Sequence, residues 1–414
     1  MSLGQTNAPW IARELSKLVV VGHVDHGKST LIGRLLYDTD SLPEGKFEEL
    51  KATCERRGMP LEWSFVLDAF QAERDQAVTI DTTQIWFKTS KRDYVIIDAP
   101  GHKEFLKNMV TGAANADTAL LTVDAREGVR EQTRRHGYLL HIIGVKQVAV
   151  AVNKIDLVDY AEDRFNDVAR EVTQYLHDIG VEPSFIVPVS ARDGDNIARR
   201  SAYTPWYEGT TLLEALDSFR VTTLPVDQPL RFPVQDVYKF DERRLIAGRV
   251  ESGILRAGDT LLFSPSNKTA IVRSIEAWNQ SPQPVEARAG ESVAITLEEQ
   301  LFLERGEIAS HAENPPRLTT VFKGRVFWFG NEPLTAGKTL EMKLTTNRAR
   351  VTVQAIESVI DTDNLSHRPS DEVHRNEVAE VILRSKQVLA VDEFRDIMRT
   401  GRFVLLDGYD TVAG

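Results

Sequence analysis

In the first half of the chain, apolar residues come as short solid runs, each followed by a stretch of helical spacing. The run KLVVVG (Lys17 to Gly22) ends in glycine and leads at once into the helix-like STLIGRLLYDT. A continuous apolar run of this kind predicts a strand buried on both faces. Tyr94–Ile97, Ala119–Val123, Gln147–Val152 and Phe185–Val189 read the same way. Amphipathic helices are predicted at Lys103–Ala114, Arg130–Ile143, Arg164–Ile179 and Thr211–Phe219. Strands alternating with helices predict an α/β domain, a mainly parallel sheet with helices on both faces. Residues 41–72 interrupt the alternation. They read as a helical excursion, EGKFEELKATCERRG, leading into a mobile segment.

Near Thr222 the pattern changes. VTTLPVDQPLRFPVQDVY holds three prolines and no helical period, which marks a linker. Short β-type runs broken by turn signals follow: RVESGILRAGD, TLLFSPSNK, VEARAGESVAITL. Pro315–Pro316 marks a second boundary, and the β pattern resumes from Thr319 through GRFVLLDGYDTVAG. The expected division is an N-terminal tail (1–15), an α/β domain (16–222) and two small all-β barrels (226–313 and 317–414).

At 414 residues the chain is too long for one ordinary domain. No apolar run approaches the length of a membrane span, and the N-terminus lacks the apolar core of a secretory signal. A single cysteine, Cys54, excludes an internal disulfide framework and a cysteine-rich metal site. The cytoplasm is the expected location. A net charge of -11 weighs against nucleic-acid binding but leaves room for a local basic face.

The strongest chemical signal lies between the first strand and first helix. Gly22-His23-Val24-Asp25-His26-Gly27-Lys28-Ser29 fits G-x-x-x-x-G-K-[ST], with Thr30 next. Its glycines let backbone N–H groups curl around phosphate oxygens, and the helix N-terminus adds partial positive charge. Lys28 is expected at the β- and γ-phosphates and Ser29 on Mg²⁺. Asp98-Ala99-Pro100-Gly101-His102 ends the apolar run YVII. Asp98 is expected to face the metal, Gly101 to approach the γ-phosphate, and His102 to lie beside an attacking water. Asn153-Lys154-Ile155-Asp156 follows VAVAV. Asp156 can accept from N1–H and the exocyclic amine of guanine, a pattern adenine reverses. The Lys154 stem can pack over the base, and Ser190-Ala191-Arg192 can give a backbone N–H to the guanine oxygen. Within Ala77-Val78-Thr79-Ile80-Asp81, Thr79 is the expected second hydroxyl on Mg²⁺. His23, His26 and His102 do not have zinc spacing on a defined element. Arg134-Arg135 and Glu242-Arg243-Arg244 read as solvated surface charge.

Taken in order, GHVDHGKST, DAPGH, NMVTGAANAD and VNKIDL resemble the translation-factor class of GTPases. LIGRLLYDT, QAERDQAVTID, EQTRRH, PWYEGTTLLEALD and RTGRFVLLDGYDTVAG are further similar to the GTPase subunit of sulfate adenylyltransferase, over about Lys17 to Gly414. His23-Val24-Asp25-His26 and DAPGH lean toward elongation factors, and Ala77 stands where both relatives usually have glycine. The resemblance implies a P-loop GTPase domain with two barrels, GTP and Mg²⁺ as ligands, and a catalytic role for Lys28, Thr79 and His102. It also implies a smaller catalytic partner of the ATP-pyrophosphatase type, which joins ATP and sulfate, with an adenylylsulfate kinase as a further partner. Two other readings stay open: a factor delivering aminoacyl-tRNA or a protein to the ribosome, and a stand-alone regulatory GTPase.

Overall fold

The computed structural model describes residues 14–67, 84–98, 116, 118–220, 225–239, 243–278, 281–361 and 366–414. The chain divides into two compact units, Met1–Val221 and Thr222–Gly414.

The first unit is built on strands β1 (Leu15–Gly22), β2 (Gln84–Lys88), β3 (Asp93–Asp98), β4 (Thr118–Asp124), β5 (Gln147–Asn153) and β6 (Pro183–Val189). They form one sheet in the order β2-β3-β1-β4-β5-β6. Only β2 runs antiparallel, against β3. The solid apolar runs are the central strands: every residue of β4 is buried, and so are Leu18 to Gly22 of β1. Each such Val or Leu contributes about 1.5–3 kcal/mol through burial.

The described helices are α1 (Lys28–Asp38), α2 (Lys46–Arg56), α3 (Glu131–Ile143), α4 (Glu162–Asp178) and α5 (Leu212–Ser218). In α4 the buried residues Phe165, Val168, Val172, Tyr175 and Leu176 fall on one stripe. α5 opens on a capping box, in which Thr211 and Glu214 satisfy each other's backbone N–H groups. The excursion after α1 is well packed where it is described. Leu50 and Cys54 of α2 are buried, and the Trp63 ring lies 4.6 Å from Tyr37 and 6.0 Å from Phe47. The helix expected at Lys103–Ala114 and the later part of the expected mobile segment lie outside the described residues.

The second unit holds two barrels. The first closes in the order Thr260–Ser264, Lys268–Glu276, Ser292–Leu297, Arg244–Arg249, Phe232–Lys239, Ile308–His311. Its core includes Phe232, Phe263, Leu261 and Ile295. In the second, long strands Arg317–Phe327, Asn347–Ile360 and Val378–Val391 pair antiparallel around Trp328, Val353 and Leu383. Just past the first of these strands, Trp328 bridges Ala413 of the last strand, Asp410–Ala413. Among the described residues, no helix is long and apolar enough to cross a membrane.

Candidate functional site

β1 stops at Gly22 and α1 starts at Lys28, so the loop between them lies at the C-terminal edge of the sheet. Gly22 has φ +152°, and a Cβ there would stand 2.4 Å from the Thr122 carbonyl oxygen. Gly27 is left-handed at φ +82°, and a Cβ there would meet the Asn153 Nδ2 at 2.4 Å. Both positions demand glycine, so the loop presents bare backbone. Gly27 is also the N-cap of α1 and gives no side-chain hydrogen bond, and the first turn carries no acidic residue. The helix thus opens on orphan N–H groups and partial positive charge, an anion-binding arrangement. Lys28 Nζ stands across the loop, donating to the carbonyls of Gly22 and His23 at 2.9 Å each. These features fit a polyphosphate. Ser29 is exposed on the first turn of α1, and Thr30 donates to Glu62 at 3.2 Å.

Within and behind the loop stand polar side chains, two of which, Gln132 and His136, none of the nucleotide motifs singles out. The His26 ring is buried, with Nδ1 3.3 Å from the Thr122 carbonyl oxygen and Nε2 3.6 Å from Glu127. Burial pulls its pKa down to about 4, against the pull of the Thr122 carbonyl. His136 of α3 is also buried and bonds the Gly22 carbonyl. Burial, then the charge of Lys28, push it down to about 3. Both imidazoles are therefore neutral near pH 7. His23 stacks edge-on to His26 at 5.0 Å, and the Val24 N–H reaches Gln132 of α3 at 3.4 Å.

The expected base-reading residues converge on the same loop. Asn153 donates from Nδ2 to the His26 carbonyl at 2.9 Å and accepts the Ala191 N–H at 3.0 Å. The Ala191 N–H, one candidate for a guanine oxygen, is thus engaged by Asn153. Ser190 is buried and exchanges hydrogen bonds with Asp193. Lys154 is left-handed at φ +61°, and its ammonium donates to the Asp25 carbonyl and pairs with Asp124 at 2.8 Å. Burial opposes ionisation of Asp124, but hydrogen bonds from Lys154 and from the Arg126 N–H hold its carboxyl below the usual range. Asp25 is exposed at φ +65°. Asp156 sits in a single 3₁₀ turn, Ile155–Val158, with its side chain 9% exposed and 3.0 Å from the Arg192 guanidinium. Asp193 also holds that guanidinium, at 3.1 Å.

Asp98 ends β3, opposite Val20 of β1. Thr79, Ala99, Pro100, Gly101 and His102 lie outside the described residues. Two surface-charge expectations need correction. Arg134 is half-buried over the Tyr175 ring at 5.1 Å, and Arg244 covers the exposed Phe302 ring at 4.3 Å. Their long stems find aromatic faces, which a charge pattern alone does not reveal.

Residues 13–221 match the elongation factor Tu GTP binding domain family, and residues 321–414 match the GTP-eEF1A C-terminal domain-like family. Sulfate adenylyltransferase subunit 1 of Bacteroides fragilis is 37% identical over 95% of this chain and 83% of its own length. Elongation factor 1-alpha of Thermococcus kodakarensis is 38% identical over 96% of this chain and 95% of its own. The crystal structure of sup35 complexed with GDP is 25% identical over 97% of this chain and 93% of that one, at a TM-score of 0.44. With a phosphate loop before α1, Asn153 to Asp156 beside it, the family match over residues 13–221 and the relatives at 37% and 38% identity, the chain belongs to the translation-factor family of GTPases, with an elongation-factor-Tu-type GTP-binding domain.

Proposed function

We propose that this chain is the GTPase subunit of a sulfate adenylyltransferase. Its GTP hydrolysis drives or gates formation of adenylylsulfate and diphosphate from ATP and sulfate on a smaller, ATP-pyrophosphatase-type subunit. An adenylylsulfate kinase is a further partner on this reading. In the GTP site, Lys28 and the backbone of residues 22–27 take the phosphates and Asp156 takes the guanine edge. Ser29, Thr79 and Asp98 would hold Mg²⁺, which neutralises phosphate charge when bound. His102 orients the attacking water, so catalysis is positioning and charge stabilisation.

One observation favours this reading over an RNA carrier. Many cations of the two barrels are held by carboxylates. Arg256 and Arg288 pair with Glu286 at 3.5 and 2.7 Å, Lys323 and Arg325 with Glu380 at 2.7 and 2.8 Å, and Arg348 with Glu341 at 3.4 Å. An RNA backbone would have to displace those carboxylates to release counterions of its own. A protein partner need not. The names of relatives such as those of Bacteroides and Aeromonas support the same reading.

The test mixes the chain with a cognate small subunit. Adenylylsulfate formation should depend on GTP, fail with a non-hydrolysable analogue and be lost with Lys28→Ala. Differential binding alone shifts populations and cannot supply repeated work. The second reading, an elongation-factor-like carrier, draws on a cleft in the first barrel that gathers Arg243, Arg244 and Arg273, with Glu276, Glu298 and Glu299 lining it as well. It predicts tight, salt-sensitive binding of aminoacyl-tRNA to the GTP form and no effect on sulfate activation.

A further inference from the structure

We propose that Asp124 is a positioning residue for guanine-nucleotide binding, acting through Lys154. The proposal rests on the GTP site described above and adds a residue that lies in none of its motifs.

Asp124 is the last residue of β4 and stands in register opposite Asn153 of β5. Its side chain is 1% exposed. One oxygen, Oδ1, accepts the Arg126 N–H at 2.7 Å, and the other, Oδ2, lies 2.8 Å from Lys154 Nζ. The same ammonium donates to the carbonyl of Asp25, in the middle of the phosphate loop. One lysine therefore spans three segments: the end of β4, the phosphate loop, and its own place between β5 and the turn that carries Asp156.

Stability alone does not call for a carboxylate here, since apolar residues of similar volume would hold the sheet as well. What the pair does, and apolar residues cannot, is fix the course of a long flexible stem. Lys154 is held at one end by its left-handed backbone and at the other by Asp124 and the Asp25 carbonyl. The stem is then already in place when a base arrives, and its rotamer freedom is not lost on binding. The Asp25 carbonyl is held in the same act, so the phosphate loop keeps its shape. Without the carboxylate, the ammonium has one fewer reason to stay, and both effects weaken together.

The test is release of a fluorescent GDP analogue, measured by stopped flow on the full chain. Wild type, Asp124→Asn, Lys154→Met and the double variant form a cycle. Asp124→Asn is expected to speed release about ten-fold with association little changed, the size of one immobilised lysine stem. In the Lys154→Met background the same substitution should give no acceleration, because the group it acts through is gone. Release at the wild-type rate from Asp124→Asn would overturn the proposal. So would equal acceleration in both backgrounds, which would make Asp124 a residue of sheet stability only. If Asp124→Asn does not fold, as judged by circular dichroism, Asp124→Ser enters the same cycle. A wild-type chain that binds no guanine nucleotide would instead remove the GTP site itself.

Discussion

Arg231 grips Asp392 with two parallel hydrogen bonds, both 2.8 Å, across the junction of the two barrels. The side chains are 3% and 9% exposed. Further bonds surround the pair: Arg231 Nη1 donates to the carbonyls of Leu230 and Asn314, and Thr400 donates to Asp392. Removing one partner leaves a buried charge alone. Arg231→Met is therefore expected to destabilise the second unit by about 3–5 kcal/mol, read from urea unfolding of the full chain. Arg231→Met with Asp392→Leu should lose clearly less than the single change. A double variant as unstable as the single one would mean that packing, and not the stranded carboxylate, sets the cost.

On the proposed function, Asp156 decides which base enters. Asp156→Asn exchanges a pair of acceptors for one acceptor and one donor, so GTP affinity should fall by at least about a hundred-fold while xanthosine triphosphate gains. Isothermal titration with both nucleotides reads this directly. Equal affinity of the unaltered chain for ATP and GTP would sink the guanine-pocket assignment.

Acid should loosen the first unit through its two buried histidines. His26 and His136 titrate at about 4 and about 3 in the folded chain. Both lie below the value of about 6.5 for an unfolded histidine. Between those values the unfolded chain binds protons that the folded chain does not. Stability is thus fully present above pH 6.5 and is lost as pH falls toward 4. The expected observation is a melting temperature of the first unit that is flat from pH 7 to 8 and drops from pH 6 to 5. His136→Gln should flatten that drop. An unchanged acid slope in His136→Gln would assign the loss to other groups.

His102 carries a different expectation, because the role proposed for it belongs to the transition state. His102→Ala should leave GTP affinity nearly unchanged and lower partner-stimulated turnover by about a hundred-fold or more. Single-turnover hydrolysis with the partner present checks it. Unchanged turnover would return His102 to an ordinary turn histidine.

Most of the α/β sheet could be read from the chain because its central strands are buried on both faces and so are apolar without interruption. Tyr94–Ile97 lies within β3, and Arg164–Ile179 differs from α4 by two residues at the start and one at the end. β2 gave no such signal. It is a five-residue edge strand whose apolar run, Ile85-Trp86-Phe87, is only three residues long and has Trp86 half exposed. The glycines, Lys28, Asn153 and Asp156 were legible because the phosphate loop and NKID are contiguous. Asp124, Gln132 and His136 were not, since they reach the loop only through the neighbouring strand β4 and helix α3. No spacing along the chain announces that kind of adjacency.

The single amide of Asn153 has a bearing on how spent nucleotide leaves. Its nitrogen holds the His26 carbonyl on the phosphate side, and its oxygen holds the Ala191 N–H on the base side. Neither loop can move far without taking up slack in the other. An exchange-promoting partner would therefore need to lever only one rim of the pocket. Prising the phosphate side would slacken the grip on guanine, and prising the base side would open the phosphate loop.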